Sequence, residues 1–272
     1  MIRHHSTIIA AVFLSVVFCM ATGCEKLFTG VGPQPVYLDT SPFEPRLNVL
    51  GVLRPDCLEG FPQSFVYLEQ SRDILDDEGA WEITDADVTV STLQADTTAD
   101  SLKFVYTDMD SVFSFKAFRH RDFIPEGGEK YLVACRKQGM TPVQAVVQIP
   151  RAVVIKPQSE KLEDGRLSFT ILRDETAFLY EIILYIEGDP ELYTETIRRP
   201  DSGDIEVSIL LNDMNREKTG ILLVYVYDRN FAEYKSYNVS IKPNTFRSDY
   251  STLDSAYGCI GAINVLEKEV QF

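Results

Sequence analysis

Leu179-Tyr180-Glu181-Ile182-Ile183-Leu184-Tyr185-Ile186 is the stretch on which the fold class turns. Apart from one acid it is apolar throughout, and such a run fits a buried helix or a buried strand equally well by periodicity alone. Two features favour a central strand. Ile182, Ile183 and Ile186 are β-branched, and Tyr180 and Tyr185 are aromatic; both kinds of side chain suit a pleated, buried surface. The run is also stopped by Gly188-Asp189-Pro190, a turn that comes early for a helix of ordinary length. With this segment read as a strand, no convincing helix longer than two turns is left, and the chain is all-β.

Working outward, strand-like segments recur on both sides. Downstream they fall at 193–199, 205–211, 221–227, 234–241 and 262–270. Upstream they fall at 153–156 and 166–172, with Glu163-Asp164-Gly165 as a hairpin signal because Gly accepts the positive φ such turns need. Before Pro150-Arg151 lies an earlier set at 47–53, 64–69, 87–93, 102–106, 112–118, 130–135 and 143–149. Val88, Val90 and Thr92 share one face by period two, as do Phe113, Phe115 and Ala117. Asp76-Asp77-Glu78-Gly79, Asp108-Met109-Asp110 and Pro125-Glu126-Gly127-Gly128 separate them. Many short strands with regular turn signals read as β-sandwiches. The expected organisation is one sandwich over 47–150 and a second, with a C-terminal strand, over 151–272.

The N-terminus carries an address. One arginine, Arg3, precedes the apolar run from Ile8 to Met20, which is too short to span a bilayer and fits the core of a secretory signal. The run ends in Ala21-Thr22-Gly23-Cys24, small residues directly before a cysteine, the pattern that a lipoprotein signal peptidase accepts. Residues 1–23 are read as a lipoprotein signal peptide cleaved between Gly23 and Cys24. Cys24 is then the lipidation site, and palmitate-type acyl chains on it anchor the protein without a spanning helix. Residues 24–46 read as a tether. Pro33, Pro35, Pro42 and Pro45 favour extended backbone, reaching about 60 Å when fully stretched.

Charge and residue counts exclude several functions. The chain carries 26 Lys and Arg against 41 Asp and Glu, a net charge of −15, so no broad basic face is expected and no nucleic-acid partner. Of three histidines, His4 and His5 lie in the leader and only His120 remains. That excludes a His-rich metal site and a relay of several imidazoles. Cys57, Cys135 and Cys259 are an odd, widely spaced trio. One bridge plus a free thiol, or three buried reduced cysteines used as small apolar fillers, both fit.

Asp73, Asp76, Asp77 and Glu78, with Asp85 and Asp87 behind them, form an acidic cluster without EF-hand spacing, which reads as a solvated loop rather than a calcium site. His120, within Phe118-Arg119-His120-Arg121-Asp122, reads as a polar loop at a strand end; no G-x-S-x-G elbow supplies a nucleophile. No catalytic residue, metal or cofactor is assigned, and the chain is not expected to be an enzyme. Tyr225, Tyr227, Tyr234 and Tyr237 are a candidate binding surface across a Tyr-rich hairpin, with inward packing of a sandwich face as the plainer reading.

The order of these pieces resembles the Bacteroidota lipoproteins grouped as the domain-of-unknown-function family 4249. The residues that carry the resemblance are the lipobox and tether, the first strand Leu47-Asn48-Val49-Leu50-Gly51-Val52-Leu53, Ala86-Asp87-Val88-Thr89-Val90, Gly128-Glu129-Lys130-Tyr131-Leu132-Val133, and the Gly-rich Tyr257-Gly258-Cys259-Ile260-Gly261-Ala262. Cys259 departs from the pattern. The resemblance implies an Ig-like or transthyretin-like first domain, followed here by a fibronectin-like second one. It implies a lipid anchor at the outer membrane, on its cell-surface or periplasmic face, and accessory or binding work beside a TonB-dependent transporter. The alternative function is a fimbrial or adhesin subunit that assembles by strand addition after a cut at Arg46-Leu47.

Overall fold

A computed structural model describes residues 45–58, 60–71, 81–94, 97–108, 116–188, 192–211, 218–236 and 251–272. The segment read as a signal peptide, Cys24, all but the end of the expected tether and most of the acidic cluster (Asp73, Asp76, Asp77, Glu78) lie outside them. The described chain is all-β with one short helix. Its strands are β1 Leu47–Leu53, β2 Cys57–Leu58, β3 Phe61–Pro62, β4 Phe65–Gln70, β5 Asp87–Gln94, β6 Thr97–Asp108, β7 Lys116–Arg119, β8 Lys130–Arg136 and β9 Val143–Gln148. They continue with β10 Lys161–Glu163, β11 Arg166–Ile171, β12 Leu179–Ile186, β13 Tyr193–Arg198, β14 Ile205–Leu210 and β15 Thr219–Tyr227. Helix α1, Arg229–Ser236, and the long strand β16, Tyr257–Gln271, complete the order.

Two hydrophobic cores account for the layers. In the first, alternate residues of β1, β4, β5 and β8 turn inward. Leu47, Val49, Val66, Leu68, Val88, Val90, Val133 and Cys135 are buried there with Phe104 and Phe118. Strand β6 belongs to both layers. Its first part pairs with β5 and its last four residues with β7, and a register shift opposite Ser91/Thr92 leaves Asp100 as the extra residue at φ 32°. The second core lies between the three-stranded sheet β10-β11-β14 and the strands β13-β12-β15-β16. The segment Leu179–Ile186 is its central strand, paired on both sides, with Ile182, Leu184 and Ile186 fully buried.

β16 joins the two. Tyr257–Ala262 pair parallel with 48–53 of β1, and Ile263–Gln271 pair antiparallel with 219–227 of β15. The result is one hydrogen-bonded sheet of eleven strands running through both cores. Leu253, Ala256, Ile260 and Ala262 pack in the first core and Val270 in the second, although the sequence reading assigned all of 151–272 to the second sandwich. The close approach of β1 is why Gly258 is glycine. It holds φ +98°, and a Cβ there would sit 2.0 Å from the Val49 carbonyl oxygen.

Three segment readings change. The expected strand at 234–241 is instead entered by α1, which Asp228 starts: its Oδ1 accepts from the Phe231 amide at 3.0 Å, and no Pro or Gly interrupts Arg229–Ser236. β16 begins five residues before the expected 262, because Gly258 and Gly261 let the chain lie close against β1 and α1. The expected strand at 153–156 is a single bridge, Ile155 to Ile171.

Candidate functional site

A groove of about 770 Å³ opens on the outer face of the first sandwich, lined by Gly60, Phe61, Val105, Thr107, Arg119, His120, Arg121 and Asp122. Register places them. Val105 pairs with Arg119 and Thr107 with Ala117 across β6 and β7, and direct partners in an antiparallel pair project to the same face. Phe104 and Phe118, one residue along, project the other way into the core. The β2–β3 hairpin, turning through Gly60 at φ +85°, closes over this outer face, and the Arg119 Nη2 donates to the Pro62 carbonyl at 3.2 Å. Arg119 is 6% exposed, whereas Phe61 and Val105 remain 46% and 62% exposed.

The far wall is the turn after β7. The Phe123 amide donates to the His120 carbonyl at 3.2 Å, and the Asp122 amide donates to His120 Nδ1 at 3.3 Å. With Nδ1 accepting, Nε2 carries the ring's N–H as a donor. The ring lies beside Phe104, centroids 6.4 Å apart. The Asp122 carboxylate is 3.9 Å from Arg121 Nε, and both side chains are largely in solvent. The groove therefore combines guanidinium and imidazole donors with apolar surface. His120 was foreseen as part of a polar turn, and the structure adds the hairpin that faces it.

At two of the four candidate tyrosines the structure shows the inward packing that was the plainer reading. Tyr227 and Tyr234 are buried with Val52, Leu179, Phe231 and Cys259, Tyr225 is half-buried against them, and Tyr237 lies outside the described residues. Helix α1 brings Phe231 and Tyr234 into this cluster in place of the expected hairpin strand. The Tyr227 hydroxyl donates to Glu181 Oε2 at 2.5 Å, and Lys235 Nζ donates to the same oxygen at 2.6 Å. Burial works against the Glu181 charge, but the hydrogen bonds from Lys235 and Tyr227 outweigh it and hold the carboxyl below its ordinary range. Burial, then the Glu181 carboxylate, push the Tyr227 hydroxyl upward.

Cys57 is exposed while Cys135 and Cys259 are buried, and all three are free thiols. Neither a bridge nor a wholly buried trio holds, because Cys57 sits on the protruding hairpin. Burial pushes the Cys135 thiol up to about 12. Asp85 pairs with Lys137 and Asp87 with Lys103, so these two acids of the expected loop are engaged with cations. Among the described residues no group of three His, Cys, Asp or Glu is placed to hold a metal, and no helix is long and apolar enough to cross a membrane. Sequence reasoning gave Asp228 no helix-capping role; it caps α1, and burial pushes its carboxyl up to about 7. Its signal was an acid directly before a run free of helix breakers.

No family model and no curated protein matches the chain. Solved structures similar in part include a cytokine receptor complex at 10% identity and TM-score 0.32, with 82% of this chain and 96% of that one covered. Chicken interferon gamma receptor alpha chain is similar at 5% identity and TM-score 0.26, over 68% and 89%. The FN1-FN3 domains of chicken CNTN1 are similar at 9% identity and TM-score 0.27, over 83% and 65%. Likenesses at these scores carry no argument; the all-β class rests on the strand pairing itself.

Proposed function

We propose that this chain is a non-enzymatic binding or accessory protein, anchored at the outer membrane through acylated Cys24, with the groove between the β2–β3 hairpin and the His120 turn as its binding element. The observation that carries the binding reading is the groove itself: a buried, hydrogen-bonded Arg119 under exposed Phe61 and Val105. The groove's size is that of a small-ligand site. A hydrolytic relay is disfavoured because His120 uses Nδ1 on a backbone amide and Asp122 faces Arg121, so the neighbouring acid does not orient the imidazole. Ala21-Thr22-Gly23-Cys24 supports the anchor, and the resemblance to the family 4249 lipoproteins supports a TonB-dependent transporter as partner. Strand addition after a cut at Arg46-Leu47 is the weaker reading. Leu47 is 1% exposed, and Arg46 and Ser71 bond each other through both Arg46 backbone groups.

Palmitate labelling and detergent co-purification test the proposal together. Wild type should incorporate label and Cys24→Ser should not. A co-purifying outer-membrane transporter supports the accessory role, and a ladder of self-multimers replaces it with the strand-addition reading. Unchanged labelling of Cys24→Ser would remove the anchor.

A further inference from the structure

We infer that the groove takes a small amphipathic carboxylate, its apolar body against Phe61 and Val105 and its carboxylate against the His120-Arg121 turn. The inference rests on the binding reading above and gives it a ligand class. It begins from a contrast in charge. The chain as a whole is strongly acidic, yet among the described residues the groove lining holds two guanidinium cations, Arg119 and Arg121, and the carboxylate of Asp122, itself beside Arg121. At physiological salt, charges beyond roughly 8 Å are screened, so these near groups rather than the net charge decide what is held.

The donors are arranged before a ligand arrives. Arg119 is fixed by its bond to the Pro62 carbonyl, and His120 by the Asp122 amide on Nδ1, which leaves Nε2–H as the ring's donor. Preorganised groups lose little freedom on binding, and a carboxylate accepting from charged donors makes the stronger class of hydrogen bond. A metal cation is opposed by this lining. A neutral apolar ligand would make no use of Arg121 or of the His120 Nε2–H. The apolar half of the site extends beyond the groove, because Leu58 on the same hairpin and Ile124 just past the same turn are also exposed.

Once the leader is gone His120 is the only histidine, so its ring resonances report this site alone. The unacylated chain from residue 24, carrying Cys24→Ser and labelled at histidine, is titrated near neutral pH with octanoate, octanol and octylamine. Octanoate should shift the His120 ring saturably and bind at least about tenfold more tightly than octanol, with octylamine weakest. Arg121→Glu, at a side chain 91% exposed, should abolish the octanoate preference over octanol without lowering the melting temperature. If octanol shifts His120 as strongly as octanoate, the groove reading stands and the carboxylate class falls. If no probe moves His120, both fall. Octanoate binding that calorimetry detects without a His120 shift, or that survives Arg121→Glu within about twofold, places the carboxylate elsewhere and overturns the inference.

Discussion

The side-chain amide of Asn264 donates to the carbonyl of Pro150 at 2.9 Å, and both groups are buried. Pro150-Arg151 reads in the sequence as a joint between two independent units, yet the last strand reaches back to hold it. Asn230 does the same from α1, donating to the Val146 carbonyl at 3.0 Å and the Ile260 carbonyl at 2.8 Å. Asn264→Leu should therefore leave a buried carbonyl unpaired and cost about 1–3 kcal/mol. Limited proteolysis should cut near residue 150 in the variant and not in the wild type. Equal cutting in both would show that the joint is open despite these bonds.

Gly258→Ala places a methyl group against the Val49 carbonyl at a φ that L-residues avoid. The expected cost is about 3 kcal/mol, read as a lower urea midpoint. Because β16 serves both cores, fluorescence from Trp81 and far-ultraviolet dichroism should lose signal in a single shared transition. Two separate transitions would contradict the shared strand.

Asp228 gives stability a pH slope of known sign. Burial raises its folded-state pKa to about 7, above the ordinary 3.8, so the folded chain holds a proton that the unfolded chain releases. Its contribution is fully present below the ordinary value and falls as pH rises through the window between the two, by up to about 1.4 kcal/mol per pH unit. Asp228→Asn keeps the cap and removes the charge. Urea midpoints from pH 4 to 7 should decline less steeply in the variant than in the wild type; parallel curves would refute the assignment.

Lys235→Met removes one of two donors to the half-buried Glu181 carboxylate. It should lower stability by about 1–2 kcal/mol, and the loss should shrink when Glu181→Gln is already present. A double-mutant cycle in urea measures this coupling, and additive effects would mean the three groups do not act together.

Thiol counting checks the cysteine environments. With Cys24→Ser in place and the leader removed, Ellman's reagent should titrate Cys57 at once under native conditions. Cys135 and Cys259, both buried and with raised thiol pKa values, should react only after denaturation. A native chain with no reactive thiol would place Cys57 in a bridge or under cover.

Local chemistry explains which parts of this architecture were readable in the sequence. Leu179–Ile186 declared itself by β-branched residues and a hard stop, and the alternation of Val88 and Val90 marked an inward face. Residues 229–236 did not, because Tyr234 and its neighbours suit either state and the deciding event is the Asp228 cap. The glycines at 258 and 261 were visible as a pattern, but their reason, contact with Val49 and with Asp228 and Phe231, depends on partners far away in the chain. The candidate site was half legible. A polar turn at His120 follows from five consecutive residues, whereas the hairpin facing it is held there by long-range contacts, among them the bond from Arg119 to Pro62, that no local pattern announces.

Strand β16 has a consequence for how the molecule is made. Synthesis is vectorial, and Asn48 waits for Tyr257, roughly two hundred residues later, before its sheet gains that neighbour. Until then β1 and β15 each expose an unpaired edge, and the first core lacks Ile260 and Ala262. A nascent chain of this design stays unfinished through most of its elongation. Such a delay keeps the chain closer to an open thread than to a closed domain until its end is made. It also leaves two sticky edges to be shielded on the way.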